Sequence, residues 1–570
     1  TLKFLNTTTQ FITKSAKLNG KPITVNGTCD LKGNLNFDVL TKGQQVNDLL
    51  AILKKSPMLA DVAKMVEPIE TKAGVTDFGL NLTGTVKDAR DIKFGKNIYA
   101  KGYLKLKNAT ATIKGMLLPV TGISGNIDFD NTNLKLNLES AIRNSKIRIN
   151  GSIKDNLADL SITSDNMNAD DLIIYLSNSK MAPYNKKAPN RRGIIIFNAS
   201  YKGKVDKIDY TKLKVNGSAS FNNYKCYYFP AKMPIEISNA NININNSVLN
   251  AYSLNLTMSG MPIFIKGKIT DIYNTQKLNI YVSAKPNQKF ADAIFNRKSL
   301  YPVKIKGDVS TTSFITGNID NYNFKSTLMI GEHSKVYYLG ANLGDELNSV
   351  VIDMDANVRK NDINIKNLTY DKIMKTNKNR LYPVRELVVS GGLKYLSNNI
   401  LFDNFKIKTL APTDSKFFNI IFKKPYIKQG QFTSDMRING SLFNPKPIGT
   451  LAIENISIPY YFIDIDKTNF NFQNKLITVT SSGRLFNKPY KLKSTMDNNL
   501  KTPYTVNDLK LYITDIDLDE ISNSARKLEV DAHEKLTIHS INPLDFSSIV
   551  INNAQLASDN ITLGNIMLHD

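Results

Sequence analysis

The chain has 570 residues, 42% of them hydrophobic, and a formal net charge of +24, so it can bury a sizeable core and favours anionic partners. Its two cysteines and four histidines lack the spacing of a disulfide framework or a metal site. No apolar run approaches the roughly 20 residues of a membrane-spanning helix, so we expect any anchor to lie outside this stretch.

The lysines are scattered singly along alternating segments, as at Lys105, Lys107 and Lys135, and form no dense cluster with interleaved aromatic residues. This pattern predicts a solvated outer face of a sheet, with a membrane-surface role as the alternative. We expect no nucleic-acid partner, because the basic patches that bind phosphate backbones are concentrated.

Residues 1–45 alternate in the manner of strands, and a helix is predicted from about Val46 to Val66. Pro57 is expected to break or kink this helix. Its apolar stripe predicts packing against one end or side of the sheet, with a partner or membrane helix as the alternative. The helix is the longest that the sequence predicts.

From Ala73 onward the chain is almost entirely short alternating segments separated by Asn, Asp and Gly turns. Strict alternation gives each strand one apolar and one polar face, which favours an antiparallel meander over a parallel sheet covered on both sides. Two segments rich in Lys and Asn, Asn178 to Arg191 and Asp371 to Pro383, are predicted to be exposed linkers.

The stretch from Lys146 to Leu176 shows the organising unit of the chain. One alternating strand reaches Gly151, and a second runs from Leu157 to Ser164. A short amphipathic helix then begins after Asn168, which is predicted to cap it. We expect this strand–Gly–strand–helix module to recur.

Three markers recur in the same order. Hydrophobic–x–Gly–x–hydrophobic steps are centred on Gly84, Gly203, Gly317 and Gly440, about 119, 114 and 123 residues apart. A second glycine series is Gly27, Gly151, Gly267 and Gly391, about 124, 116 and 124 residues apart. A degenerate fifth copy of the second marker lies at Leu492 to Ser494. All five copies are followed by a short amphipathic helix, beginning near Val46, Ala169, Gln288, Ser415 and Leu518.

The markers predict repeat units of about 118 residues. The predicted divisions are 1–72 (the end of a first repeat, with the helix at about 46–66), 73–192, 193–305, 306–428, 429–530 and 531–570 (the truncated start of a further unit). We therefore predict an all-β fold with minor α content: one long antiparallel sheet, twisted and curled into a groove, in which each repeat contributes a short amphipathic helix.

The units resemble those of the AsmA-like proteins, the bacterial bridge-like lipid-transfer family that includes TamB and YhdP. The resemblance lies in Gly102 to Ala109, Leu118 to Phe129, Ile149 to Ile153, and Ile438 to Asn455. It covers most of the chain as a pattern, without a signature motif. It implies a curled β-groove, an inner-membrane anchor upstream of this stretch, and a periplasmic path for phospholipid toward the outer membrane.

A lipid path needs a continuous apolar floor and a polar exterior, and strands of period two supply both. The candidate groove-lining residues are Leu104, Leu106, Ile127, Phe129, Leu134, Leu136, Ile147, Ile149, Ile242, Ile244, Ile263, Ile265, Ile363, Ile365, Ile463 and Ile465. The alternative is an ordinary core, in which side chains from a second layer of protein fill the same positions.

The sequence offers no catalytic motif, and we expect neither an enzyme nor a cofactor. Asp353 and Asp355 alternate on a predicted strand, as do Asp515, Asp517 and Asp519, and we expect these carboxylates on a solvent face or a helix cap rather than at a calcium site.

The predicted function is bridge-like transport of phospholipid in the periplasm, for envelope biogenesis. The expected partners are phospholipid acyl chains, and both membranes through segments outside this chain. One alternative is an assembly factor for outer-membrane β-barrel proteins, which would offer an unpaired strand edge. The other is a non-conducting structural β-repeat protein with a closed core.

Overall fold

A computed structural model describes most of the chain. The described residues are 1–55, 69–87, 96–113, 119–155, 157–171, 192–204, 214–228, 233–272, 274–295, 302–376, 380–396, 399–419, 425–441, 444–459, 462–500, 504–517, 519, 528–531, 536–540, 548–563 and 566–569. Of the described structure, about 76% is strand and 6% is helical, and the main sheet is mostly antiparallel. The predicted all-β fold with minor helix is therefore confirmed.

The chain divides into two compact parts. The N-terminal part comprises Thr1–Ser259 and Phe264–Lys277, and the C-terminal part comprises Gly260–Ile263 and Leu278–Asp570. The division falls within the strand Met261–Thr270 (β16). The six predicted repeat divisions follow the sequence markers and stay predictions.

The N-terminal part is a meander in which each long strand pairs antiparallel with the next one along the chain. Its strands are β1 (Leu2–Leu5), β2 (Thr8–Ile12), β3 (Lys17–Leu18), β4 (Lys21–Asp30), β5 (Asn34–Gln45), β6 (Ile69–Thr85), β7 (Ile98–Ile113), β8 (Val120–Asp130), β9 (Asn133–Ile142), β10 (Ser145–Lys154), β11 (Leu157–Asn168), β12 (Arg192–Lys204), β13 (Lys214–Tyr228), β14 (Met233–Asn245) and β15 (Val248–Met258).

The C-terminal part continues the same pattern. Its strands are β17 (Lys277–Ala284), β18 (Lys304–Lys306), β19 (Val309–Asn318), β20 (Asn321–Ile330), β21 (Lys335–Tyr338), β22 (Ala341–Asn342), β23 (Ser349–Arg359), β24 (Asp362–Lys375), β25 (Leu381–Leu396), β26 (Asn399–Thr409), β27 (Thr413–Asp414), β28 (Gln429–Ser441), β29 (Asn444–Ile458), β30 (Ile463–Phe472), β31 (Leu476–Leu485), β32 (Lys488–Asp497), β33 (Tyr504–Ile513), β34 (Asp515–Asp517), β35 (Leu528–Asp531), β36 (Leu536–Ser540), β37 (Ser548–Ile551), β38 (Ala554–Ala557), β39 (Asn560–Leu563) and β40 (Ile566–His569).

The antiparallel run in the C-terminal part extends from β19 to β33. Beyond it, β37 and β38 pair with β33 in parallel. Two small sheets stand apart from the run, one formed by β18, β21 and β22 and the other by β34, β39 and β40.

The described helices are short. Helix α1 (Val46–Lys55) begins at the predicted residue, and the rest of its predicted span lies outside the described residues. Helix α2 (Gln288–Ile294) is capped by Asn287, whose side chain accepts a hydrogen bond from Phe290 N. A 3-10 turn follows at Ser415–Phe417. The predicted start at Leu518 lies outside the described residues.

The predicted cap at Asn168 is confirmed in its first turn. Residues 169–171 are helical, and Asn168 Oδ1 accepts a hydrogen bond from Asp170 N at 3.0 Å. Asp171 is buried there and accepts a hydrogen bond from Ser145 Oγ at 2.6 Å. The remainder of this predicted helix lies outside the described residues.

One predicted linker is wrong. Asp371 to Pro383 was expected to be an exposed linker, but its residues 371–375 and 381–383 are paired strand residues of β24 and β25, with Ile373 opposite Pro383. Asp371 is buried and accepts two hydrogen bonds from Arg385 on the next strand, at 2.8 and 2.9 Å. The other predicted linker, 178–191, lies outside the described residues.

Gly391, from the second glycine series, lies at a β-bulge of β25 with φ +119°. A Cβ atom there would lie 2.5 Å from both Asn404 O and Phe405 Cα on the neighbouring strand. The backbone conformation and the close approach both select glycine. At position 391 the glycine marker therefore coincides with a bulge in the sheet.

We expect Gly391→Ala to destabilise the C-terminal part by about 1–3 kcal/mol, because it strains the backbone and clashes with β26. The adjacent Gly392→Ala is the matched control: its added Cβ would meet Asp403 Cβ at 3.2 Å, and its φ is unexceptional. We expect the control to change stability by less than about 1 kcal/mol. Urea unfolding followed by circular dichroism measures both, and equal midpoints for the two variants would refute the bulge assignment.

Candidate functional site: the apolar face of the sheet

The strand register brings the first group of predicted lining residues together. Leu104 lies opposite Ile127, and Ile127 lies opposite Leu136. Phe129 lies opposite Leu134 in the same way. Residues directly opposite each other in antiparallel strands project from the same face, so these side chains form one apolar ladder across β7, β8 and β9.

The ladder continues through the N-terminal part. Leu138 lies opposite Ile149, which lies opposite Ile162. Ile242 and Ile244 lie opposite Ala219 and Gly217. Predicted lining residues on β7 to β10 and on β14 thus share one face with apolar residues that the prediction omitted. These additional members are Phe37, Val39, Phe78, Leu80, Leu82, Leu138, Leu160, Ile162, Phe197, Ala199, Ala219 and Leu249.

The C-terminal part carries a second ladder. Ile363 lies opposite Val358 and Leu393, and Ile365 lies opposite Ala356 and Gly391. Further along, two direct pairs join β29 to β30. They are Ile458–Ile463 and Ile456–Ile465. The predicted lining residues therefore lie on a regular apolar face in this part as well.

Burial of the sixteen predicted residues is nearly uniform. Ile365 is buried, with 8% of its surface exposed, and the other fifteen are half-buried. Ile263 and Ile265 on β16 are among the half-buried ones. Intermediate exposure is typical of an apolar sheet face on which neighbouring side chains partly bury one another and no second layer of protein packs.

What covers the face differs along the chain. In the described N-terminal part, every extensive contact between elements joins neighbouring strands or joins α1 to β5 and β6. Near the Asn168 turn, Ile147 packs against a local cluster of buried side chains, Met167, Ala169 and Ile195. The described residues of this part thus place no second sheet over the ladder.

In the C-terminal part, protein side chains cover two portions of the face. In one, Ile516 and Ile561 of the small sheet of β34, β39 and β40 cluster with Tyr490 and Ile513 on β32 and β33.

The other portion lies on β19 to β24. Val309, Ile330, Val350 and Tyr370 form a buried cluster on the main sheet. Side chains of the other small sheet, Ile305 and Val336 among them, pack on this cluster. Here protein side chains fill the interior, as the alternative of an ordinary core predicts. We call this small sheet, β18 with β21 and β22, the cover.

The opposite face is polar and is crossed by pairs of opposite charge. Arg148 lies directly opposite Glu139, at 3.2 Å. Lys467 lies opposite Glu454, at 2.8 Å. Further direct pairs of this kind are Lys202–Asp159, Lys225–Glu236, Lys325–Asp355 and Lys408–Asp435. Each exposed pair contributes at most about 1 kcal/mol, but together they favour one register.

A cavity of about 470 Å³ lies chiefly on this polar face, and the sequence analysis missed it. Its lining includes Thr433, Thr450, Asn469, Asn471 and Thr480, which face one another across β28 to β31. Their hydroxyl and amide groups offer hydrogen bonds to a polar molecule, but no charged cluster marks them in the sequence.

A charged cluster lies on the apolar face beside the cover. Lys372 Nζ is 2.8 Å from Glu386 Oε1 and 3.3 Å from Asp345 Oδ2. Burial lowers the pKa of Lys372, but its bonds to the two carboxylates outweigh burial and raise this pKa above its ordinary value. Burial, with the charges of Glu386 and Asp345, also raises the pKa of Tyr370.

The aspartates that were expected on a solvent face or a helix cap have polar or charged hydrogen-bond partners. Asp355 is paired with Lys325, and Asp353 accepts a hydrogen bond from Thr327. Asp517 accepts a hydrogen bond from Asp519 N, which closes a turn. Within the described ranges, no group of three or more His, Cys, Asp or Glu side chains is placed to hold a metal ion.

No helix within the described part of the chain has the length and apolar character needed to cross a membrane. Comparison of the chain with protein-family models, with curated proteins and with solved structures gave no match. The resemblance to the AsmA-like family thus stays a prediction.

The cluster around Lys372 gives a prediction about stability. Lys372→Met leaves Glu386, a buried carboxylate, without its cation, and we expect a loss of about 1–3 kcal/mol. Lys366→Met on the same strand removes an exposed lysine of the polar face, and we expect a loss below about 1 kcal/mol. Urea midpoints of the two variants test this, and an equal effect would show that the cluster contributes no more than a surface pair.

Proposed function

We propose that the chain carries phospholipid along the apolar face of its sheet, in the periplasm, between the inner and outer membranes. One observation carries this proposal: the cross-strand ladder is apolar over successive strands, while the opposite face carries charge pairs. A single sheet thus offers a sheltered path on one side and solubility on the other.

The energetics favour acyl chains as the occupant. Each methylene group moved from water to an apolar surface contributes about 0.8 kcal/mol. Three residues on the apolar face of β9, Leu134, Leu136 and Leu138, span about 13 Å along the strand. Neighbouring strands, which lie about 4.8 Å apart, each present an apolar segment of similar length. Across β7 to β11 of the N-terminal part, a lipid tail would therefore pass from strand to strand over apolar side chains.

The proposal concerns the part of the face that no described element covers. Beneath the cover, protein side chains fill the space that a lipid would need. The periplasmic location, the anchor outside this chain and the two membranes rest on the resemblance to the AsmA-like family. The resemblance implies an antiparallel sheet as the groove, and the main sheet of this chain is mostly antiparallel.

Photo-crosslinking with a matched pair of positions tests the proposal. Ile149 projects from the apolar face, and Arg148 precedes it on the polar face. We expect p-benzoylphenylalanine at position 149 to capture phospholipid in bacterial cells at least tenfold more than at position 148, because only the former contacts the path. Mass spectrometry of the purified, irradiated protein measures the yield.

Two results would contradict lipid transport. The first is equal lipid capture at positions 148 and 149 in protein whose circular dichroism is unchanged. The second is protein without lipid at either position, together with no phospholipid in its solvent extract. Capture of nascent outer-membrane proteins instead would favour the assembly-factor alternative.

A further inference from the structure

A compact corner of the C-terminal part combines unpaired positive charge with exposed apolar side chains. It lies where helix α2 meets strand β18 of the cover. We call it the basic corner, and its residues are Lys285, Lys289, Ile294, Phe295, Lys304 and Lys306.

A side-chain amide joins the two elements of the basic corner. Gln288 accepts a hydrogen bond from Ile305 N at 2.7 Å and donates one to Val303 O at 3.1 Å. Lys289 adjoins this glutamine, and Lys304 and Lys306 flank Ile305. Gln288 thus joins two segments that are separated by about a dozen residues of sequence, and each segment carries exposed lysines.

The packing beneath the corner determines which side chains face outward. Ile305 packs on the cluster of Val309 and Ile330, so the alternating Lys304 and Lys306 are left exposed. Ala291 is fully buried and fixes the inner side of α2. The exposed lysines are therefore held by a folded scaffold.

These lysines differ from those of the polar face. Lys325 and Lys467 each face a carboxylate on the next strand. Among the described residues, no carboxylate pairs with the ammonium group of Lys285, Lys289, Lys304 or Lys306. The nearby Asp292 accepts a hydrogen bond from Gln288 at 2.7 Å. The corner therefore keeps its positive charge available to a partner.

Apolar surface lies next to this charge. Phe295 is 55% exposed and Ile294 is 39% exposed, at the end of a seven-residue helix about 10 Å long. Lysines beside exposed Phe and Ile are the combination by which proteins bind the headgroup region of a membrane: the charges attract anionic lipids, and the apolar groups enter the interface.

We propose that the basic corner binds the surface of an anionic lipid bilayer. Charge complementarity identifies the occupant, since the corner offers four lysines with no described ion-pair partner and the bilayer supplies anionic headgroups. Phe295 and Ile294 add an apolar contribution that salt does not screen. This contact is separate from the apolar face, and it holds whether or not that face carries lipid.

Vesicle flotation with the full chain tests the corner. The probes are vesicles of phosphatidylcholine with 30% phosphatidylglycerol and vesicles of phosphatidylcholine alone. Removing one lysine near an anionic surface lowers binding about fivefold. We therefore expect Lys304→Glu combined with Lys306→Glu to weaken binding to the anionic vesicles at least tenfold. Phe295→Ser is expected to abolish the binding that persists in high salt.

Lys491→Glu combined with Lys493→Glu is the matched control, because these lysines are exposed and have the same spacing on β32. We expect the control to weaken binding less than threefold, with circular dichroism unchanged in all variants. Equal loss in the control would overturn the proposal, since the field of the whole chain would then account for binding. The proposal would also be overturned if a DNA duplex displaced the protein from labelled anionic vesicles as effectively as unlabelled anionic vesicles do.

Discussion

Direct opposition of residues across antiparallel strands is the constraint on which the rest of the structure depends. Because the side-chain period of a strand is two, a slip of one residue would move every apolar side chain to the polar face. Apolar pairs such as Leu104–Ile127 and charge pairs such as Arg148–Glu139 specify the same register from opposite sides of the sheet. Each set of contacts is weak, but both stabilise the same register, and this register places the apolar side chains on one face.

This constraint also explains where the sheet departs from regularity. A bulge adds a residue on one strand, so the chain must regain its alternation before the next pair. At Gly391 the neighbouring backbone approaches too closely for a side chain, and the apolar pairs resume on either side of it, at Val389 and Leu393. Glycine at position 391 thus has a geometric cause within the sheet itself.

Much of the local structure could be predicted from the sequence, because alternation and capping are local properties. The start of α1 at Val46, the cap at Asn168 and the shared face of Ile127 and Leu136 all follow from neighbouring residues. The cover could not be predicted, since β18 pairs with β21 across the intervening β19–β20 hairpin, which is a non-local contact. The error at Asp371 has a similar origin: the partner that makes burial of this carboxylate favourable is Arg385, on the next strand.

The parallel strands at the end of the antiparallel run have a consequence for solubility. An unpaired strand exposes a row of amide and carbonyl groups on which another chain can add and aggregate. β33 does not present such a row, because β37 and β38 occupy the edge that a further antiparallel hairpin would otherwise take. The edge passes to β38 and, through β37 and β36, to β35. Both edge strands have four residues, too few to be good templates. At this edge the fold therefore resists the addition of strands from which fibres grow.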